Sequence, residues 1–260
     1  MGKQVLFLLC ILTLGGTGCG PDYMPGFDFK LFRQTPVARL ARAVETDDTA
    51  AIEKILRDKS IDVDYQEPKF GQALLALSIV NNKLGAAGKL LQHGASPNKR
   101  TKHDTNALFD ALTYTFNCDT IALKLLIRYG ADVNAIHADT EDHNDLIETP
   151  LMAAIGPEDC IDRVKVLVAA GADINKCTYY PGYGALTDAL IMENMDVVKY
   201  LIVDKNATIP KYCYKRDLDT SNIQYLTVTD MLNGGNYGTD SSRYRLRTEI
   251  LVYMKSKGLK

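Results

Sequence analysis

A short string recurs along this 260-residue chain, each time closing a stretch of helical periodicity. It reads Gly94-Ala95-Ser96-Pro97-Asn98, then Gly130-Ala131-Asp132-Val133-Asn134, then Gly171-Ala172-Asp173-Ile174-Asn175. Weaker copies stand at Ser60 to Asp64 and Asn206 to Ile209, and a truncated one begins at Gly258. The steps between these landmarks are 34, 36, 41, 35 and 52 residues. Periods of this size mark tandem supersecondary units, none of which can bury its apolar face without stacking on a neighbour.

A second landmark opens each unit. The openings are Ala73-Leu74-Leu75-Ala76-Leu77, Ala107-Leu108-Phe109-Asp110-Ala111, Thr149-Pro150-Leu151-Met152-Ala153, Ala185-Leu186-Thr187-Asp188-Ala189 and Thr227-Val228-Thr229-Asp230-Met231. The second half of each unit carries an aliphatic stripe at helical spacing. Examples are Ile121, Leu125 and Leu126; Val164, Leu167 and Val168; and Val197, Val198, Leu201 and Ile202. His93, Arg128 and Lys205 fall in last turns, where a cation or donor complements exposed carbonyls, and Gly94 and Gly130, which follow the first two, can end the helix in a left-handed conformation.

These strings resemble the Thr-Pro-Leu-His-x-Ala opening and the closing loop of the ankyrin-repeat family, whose period is about 33 residues. Only Thr149-Pro150-Leu151 keeps the strict opening, and no copy has the His. The resemblance covers residues 35–260. It implies an all-α solenoid of about six helix-turn-helix repeats with capping end repeats and extended finger loops. The expected repeats are 35–66, 71–104, 105–147, 148–182, 183–225 and 226–260. Charged residues at the ends suit caps: Glu45, Asp47, Asp48, Glu53 and Lys54 in front, Arg243, Arg245, Arg247 and Lys255 behind.

The first residues read as an export signal. Lys3 precedes the apolar run Val5 to Leu14, too short to span a bilayer, and Gly15, Gly16, Thr17 and Gly18 lead to Cys19. The arrangement resembles a bacterial lipoprotein signal, which implies cleavage of residues 1–18 and a lipid on Cys19. Gly16 departs from the usual aliphatic, and simple secretion is the alternative. Gly20, where an Asp is absent, resembles outer-membrane sorting, so the expected place is the envelope, lipid-anchored at the outer membrane and facing the periplasm. Residues 19–34 read as a lipid-anchored tether.

The departures from the repeat point to surfaces. The stretched loop after Asn134 carries His137, Asp139, Glu141, Asp142, His143 and Asp145 without a helix-borne ligand spacing, and reads as solvated or partner-contacting rather than metal-binding. Later loops carry Tyr179, Tyr180, Tyr183, Tyr212, Tyr214 and Tyr225. Tyrosine supplies rigid amphipathic area at interfaces, so Tyr179, Tyr180, Tyr183, Tyr212 and Tyr214, with His137 and Asp139, are the candidate partner-binding residues. Four cysteines beyond Cys19 allow three connectivities. Equivalent positions in neighbouring repeats favour Cys118–Cys160 with Cys177–Cys213, provided the Cα atoms come within about 7 Å.

Thirty basic against thirty-two acidic residues leave a formal charge of −2, which gives no electrostatic reason to expect nucleic acid. There is no Gly-x-Ser-x-Gly elbow, phosphate-binding Gly-rich loop, zincin helix or Cys-x-x-Cys pair. The expectation is a monomeric, non-enzymatic module without metal or cofactor that binds another protein. One alternative, by resemblance to ankyrin-repeat lipoproteins, is an immunity protein that blocks a delivered antibacterial toxin such as a type VI lipase effector. A lesser one is an envelope spacer.

Overall fold

The computed structural model describes residues 26–115, 118–139, 146–156, 160–178, 182–219, 222–235 and 241–259. These form twelve α-helices and two small antiparallel sheets of two strands each. The helices come in six consecutive pairs. They are α1 (Ala38–Glu45) with α2 (Thr49–Leu56), α3 (Leu74–Val80) with α4 (Leu84–Gln92), α5 (Ala107–Tyr114) with α6 (Ile121–Arg128), α7 (Pro150–Ala153) with α8 (Ile161–Ala169), α9 (Ala185–Ile191) with α10 (Met195–Lys199), and α11 (Val228–Gly234) with α12 (Ser242–Ser256). Odd-numbered helices form one row in which each touches the next. Even-numbered helices form a second row, with contacts between α2 and α4, α6 and α8, α8 and α10, and α10 and α12.

Polar side chains start half of these helices. Asn106 accepts from the amides of Leu108 and Phe109 ahead of α5, and Thr149 accepts from Met152 ahead of α7, with Pro150 in the first turn. Thr227 and Asp230 form a reciprocal capping box at α11. The N-cap positions correct the expected register. Ala73, Thr149 and Thr227 are N-caps, but in the third and fifth units the N-caps are Asn106 and Gly184, one residue before the alanines. Asp110 and Asp188 are thus equivalent to each other and to Ala153.

The closing string ends the second helix. Gly130 takes φ +85°, a left-handed conformation that costs a glycine little. In the fifth unit Asn206 takes this place with φ +52°, after α10 widens into the π-turn Tyr200–Asp204. The buried faces follow helical spacing, with Val164, Leu167, Val197, Val198, Leu201 and Ile202 inside. In α6 the buried residues are Leu123 and Leu126, and Ile121, expected inside, is 56% exposed at the helix start.

Neighbouring units are tied by polar bonds as well as by packing. Asn98 Nδ2 donates to the Gly130 carbonyl and Asn175 Oδ1 accepts from the Thr208 amide, both at 2.8 Å. A disulfide joins Cys118 to Cys160 with Cα atoms 5.1 Å apart. Beside it, buried Arg163 donates to the Leu112 and Thr115 carbonyl oxygens that α5 leaves open at its end.

Residues 26–34, expected to be part of a tether, pack on the fold instead. Phe27, Phe29 and Phe32 are buried, and Phe29–Phe32 form a short 3₁₀ turn against α1. Three phenylalanines in six residues are withdrawn from water by packing on the stack, so from residue 26 the chain belongs to the fold.

Candidate functional site

The loops that enter the odd-numbered helices stand side by side as a row of fingers. Gln66 pairs with Ala73 in one, and Cys177 pairs with Gly184 in another. Two fingers lengthen into hairpins, β1 (His137–Asp139) with β2 (Leu146–Glu148) and β3 (Tyr214–Asp219) with β4 (Asn222–Leu226). Bonds run from finger to finger. Gln66 Nε2 donates to the Arg100 carbonyl, the Lys102 amide to the Phe70 carbonyl, and the Ala138 amide to Asp104 Oδ2. Thr187 Oγ1 donates to the Cys213 carbonyl at 3.0 Å. The fingers lead into the N-terminal ends of the odd-numbered row.

Acidic side chains lie on and beside that row. Burial pushes the Asp110 carboxyl up to about 7, against hydrogen bonds from Thr105 and Gln72 that pull it down. Its Oδ2 and the Oε1 of Gln72 have no hydrogen-bond partner among the described residues. Burial also raises Glu148 and Asp188 to about 7 each, and the Asp188 charge adds to the rise at Glu148. The Tyr183 hydroxyl donates to Asp188 Oδ1 at 2.8 Å. Tyr183 is half-buried and holds a carboxyl of its own chain.

The remaining expected contact residues divide. Tyr212 is 40% exposed, its ring 5.6 Å from that of Tyr225, with Lys211 Nζ 5.1 Å above it. Tyr214 begins β3 opposite Leu226 and is half-buried. His137 turns inward: Nδ1 lies 3.2 Å from the Asp104 carbonyl and the ring 5.4 Å from that of Phe109. Asp139 closes β1 opposite Leu146. Cys19, Tyr179, Tyr180, Glu141, Asp142, His143 and Asp145 lie outside the described residues. Ile223 and Tyr225, about half exposed on β4, were not singled out as contact residues, although their spacing of two between Asn222 and Leu226 is the signal of one strand face.

The expected Cys177–Cys213 bond is not formed. Cys177 is an exposed thiol pointing to the Asn175 carbonyl, whereas Cys213 is fully buried with Sγ 3.5 Å from the Leu226 carbonyl oxygen. Burial raises the Cys213 thiol to about 11, which keeps it protonated and unreactive.

Among the described residues no three His, Cys, Asp or Glu side chains gather as metal ligands, and no helix is long and apolar enough to cross a membrane. Residues 148–179, from the end of β2 through α7 and α8 into the next finger, match the family model for the ankyrin repeat. Alpha-latrocrustotoxin-Lt1a of Latrodectus tredecimguttatus is 27% identical over 134 residues, which are 52% of this chain and 9% of that protein. The chain thus spans about a tenth of the length of this curated relative. Ankyrin repeats are typically interaction modules rather than enzymes, and their stacked units present extended concave binding surfaces.

Proposed function

We propose that the chain is a six-unit ankyrin solenoid that binds a protein through the rear of its groove and the hairpin β3–β4. The observation that carries this reading is the exposed cluster Tyr212, Ile223 and Tyr225, a compact aromatic and aliphatic face on a finger that extends beyond the repeat. Large exposed apolar groups gathered on one element mark interaction sites, and repeat-specific insertions fall on the binding face. The test is affinity capture from an envelope extract with the native chain and with a Tyr212→Ala, Tyr225→Ala variant that keeps its melting temperature. A protein held by the first and lost from the second supports the reading. One held equally by both contradicts it.

The export signal supports an envelope location, with a lipid on Cys19 holding the module at a membrane surface. Replacing Cys19 by Ser releases the protein into the soluble fraction on this reading, and unchanged fractionation opposes it. Within this location a second reading, immunity against a delivered toxin, draws on the lipoprotein-like leader joined to a binding stack. The groove would act sterically by covering the toxin's active-site mouth. Co-expression with the toxin encoded by a neighbouring gene tests it: the native chain restores growth and the hairpin variant does not.

A further inference from the structure

The last hairpin has only two strands, so among the described residues β4 pairs with β3 alone. The segment entering β3 is held against the fifth unit. A Cβ at Gly182, in the preceding finger, would collide with the Tyr212 carbonyl, and Thr187 Oγ1 donates to the Cys213 carbonyl. β4 is less covered. Ile223, Gln224 and Tyr225 follow one another and all three are exposed, so side chains on both faces of the strand meet water. In the other hairpin, Ile147 and Glu148 of β2 are half-buried.

The two strands also differ in charge. An unpaired edge presents a row of backbone donors and acceptors, which proteins usually guard with charged side chains, proline or a covering element. β3 carries Lys215, Arg216, Asp217 and Asp219. β4, Asn222-Ile223-Gln224-Tyr225-Leu226, carries neither charge nor proline, and its isoleucine and tyrosine favour a strand. It is also self-complementary. When two such strands run antiparallel with Gln224 opposite Gln224, each Ile223 faces a Tyr225, and an aromatic group beside a β-branched one is a favourable cross-strand pair. The two-fold axis of that pairing is perpendicular to the sheet at Gln224. It therefore brings the Ile223 and Tyr225 faces of both copies to one side.

We propose that β4 is a pairing edge for a second copy of this chain, joining two hairpins into a four-stranded antiparallel sheet in place of the expected monomer. An uncharged strand has no side-chain repulsion to overcome in meeting itself, and its complement is present on every copy. The joined sheet brings two aromatic and aliphatic patches together as one face. The interface spans the five residues of β4 on each side, so the dimer is small, reversible and dependent on concentration. The inference rests on the reading of the hairpin as the interacting face and names an occupant for its edge. A monomer that still captures a protein through Tyr212 and Tyr225 would remove the dimer and leave that reading standing.

Light scattering on the full chain reads the association. The mass rises from one chain towards two as concentration climbs through the micromolar range. Gln224→Lys sets like charges opposite each other on the axis and holds the mass at one chain, and so does Gln224→Glu. Mixing the two variants restores the dimer, which a merely misfolded hairpin would not do. Disulfide trapping reads the register. With Cys177→Ser removing the exposed native thiol, Gln224→Cys crosslinks two chains under mild oxidation at least tenfold faster than Val252→Cys, an equally accessible position on α12. One chain throughout that range, a dimer that persists in Gln224→Lys, or equal trapping rates at positions 224 and 252 overturns the proposal.

Discussion

Asn134, which closes the third unit, is bonded twice to the backbone of the fourth. Its Nδ2 donates to the Gly171 carbonyl at 3.0 Å and its Oδ1 accepts from the Asp173 amide at 2.8 Å. Asn98 makes the same two bonds to Gly130 and Asp132. The recurring asparagine is thus a splice between units, for which a side-chain amide is suited because it offers a donor and an acceptor together.

Asn134→Ala leaves that carbonyl and amide to water. Both bonds are at the surface, so the expected loss is about 1–2 kcal/mol, read as a lower urea midpoint with an unchanged slope. Asn134→Asp keeps only the acceptor and falls between. An unchanged midpoint in the alanine variant would remove the splice from the account.

The Cys118–Cys160 bond closes a loop between residues 42 apart. A link of this length stabilises by about 2–4 kcal/mol, largely by restricting the unfolded chain. The double variant Cys118→Ser, Cys160→Ser therefore melts lower than the oxidised native chain and at the temperature of the native chain held in reductant. Melting that is indifferent to reductant contradicts the bond.

Three carboxyls, Asp110 on α5, Glu148 at the end of β2 and Asp188 on α9, have values raised to about 7. The folded state keeps protons that the unfolded chain releases near its ordinary carboxyl values. Stability contributed by these groups is therefore fully present below about pH 4, falls as pH rises towards 7, and is lost above. Each group can add at most about 1.4 kcal/mol per pH unit to the slope. Asp110→Asn keeps a neutral group of similar shape beside Gln72 and Thr105, so it stabilises the protein more at pH 8 than at pH 5. Equal effects at the two pH values count against a protonated Asp110.

The stack was legible because the closing strings carry their own physics: a residue that accepts the left-handed turn, then an asparagine that reaches the next unit. The openings were less so. Asn106 and Gly184 do not resemble the threonine of the repeat, and the neighbouring alanines invited an alignment one residue late, although Asn106 is itself a strong helix cap. The spacing puts Ile121 on the apolar face of α6, and spacing alone does not say that the first residue of the helix stays in water. Phe27, Phe29 and Phe32 carry no helical or strand period, and nothing local reveals that they pack on the stack or that Phe27 reaches Tyr114. The tyrosines marked the insertion as a surface. Which of them faces water depended on the pairing of β3 with β4, and on the bond by which Tyr183 spends its hydroxyl on Asp188.

The central claim is that the hairpin side of the stack, not its back, meets a protein partner. Site-specific photo-crosslinking in living cells tests it most directly, with benzoylphenylalanine placed at position 212 or 225 on the hairpin or at position 121 on the exposed start of α6. The account predicts one discrete crosslinked partner from 212 and 225 and none from 121. Crosslinking from 121 with silence at both hairpin positions would contradict it.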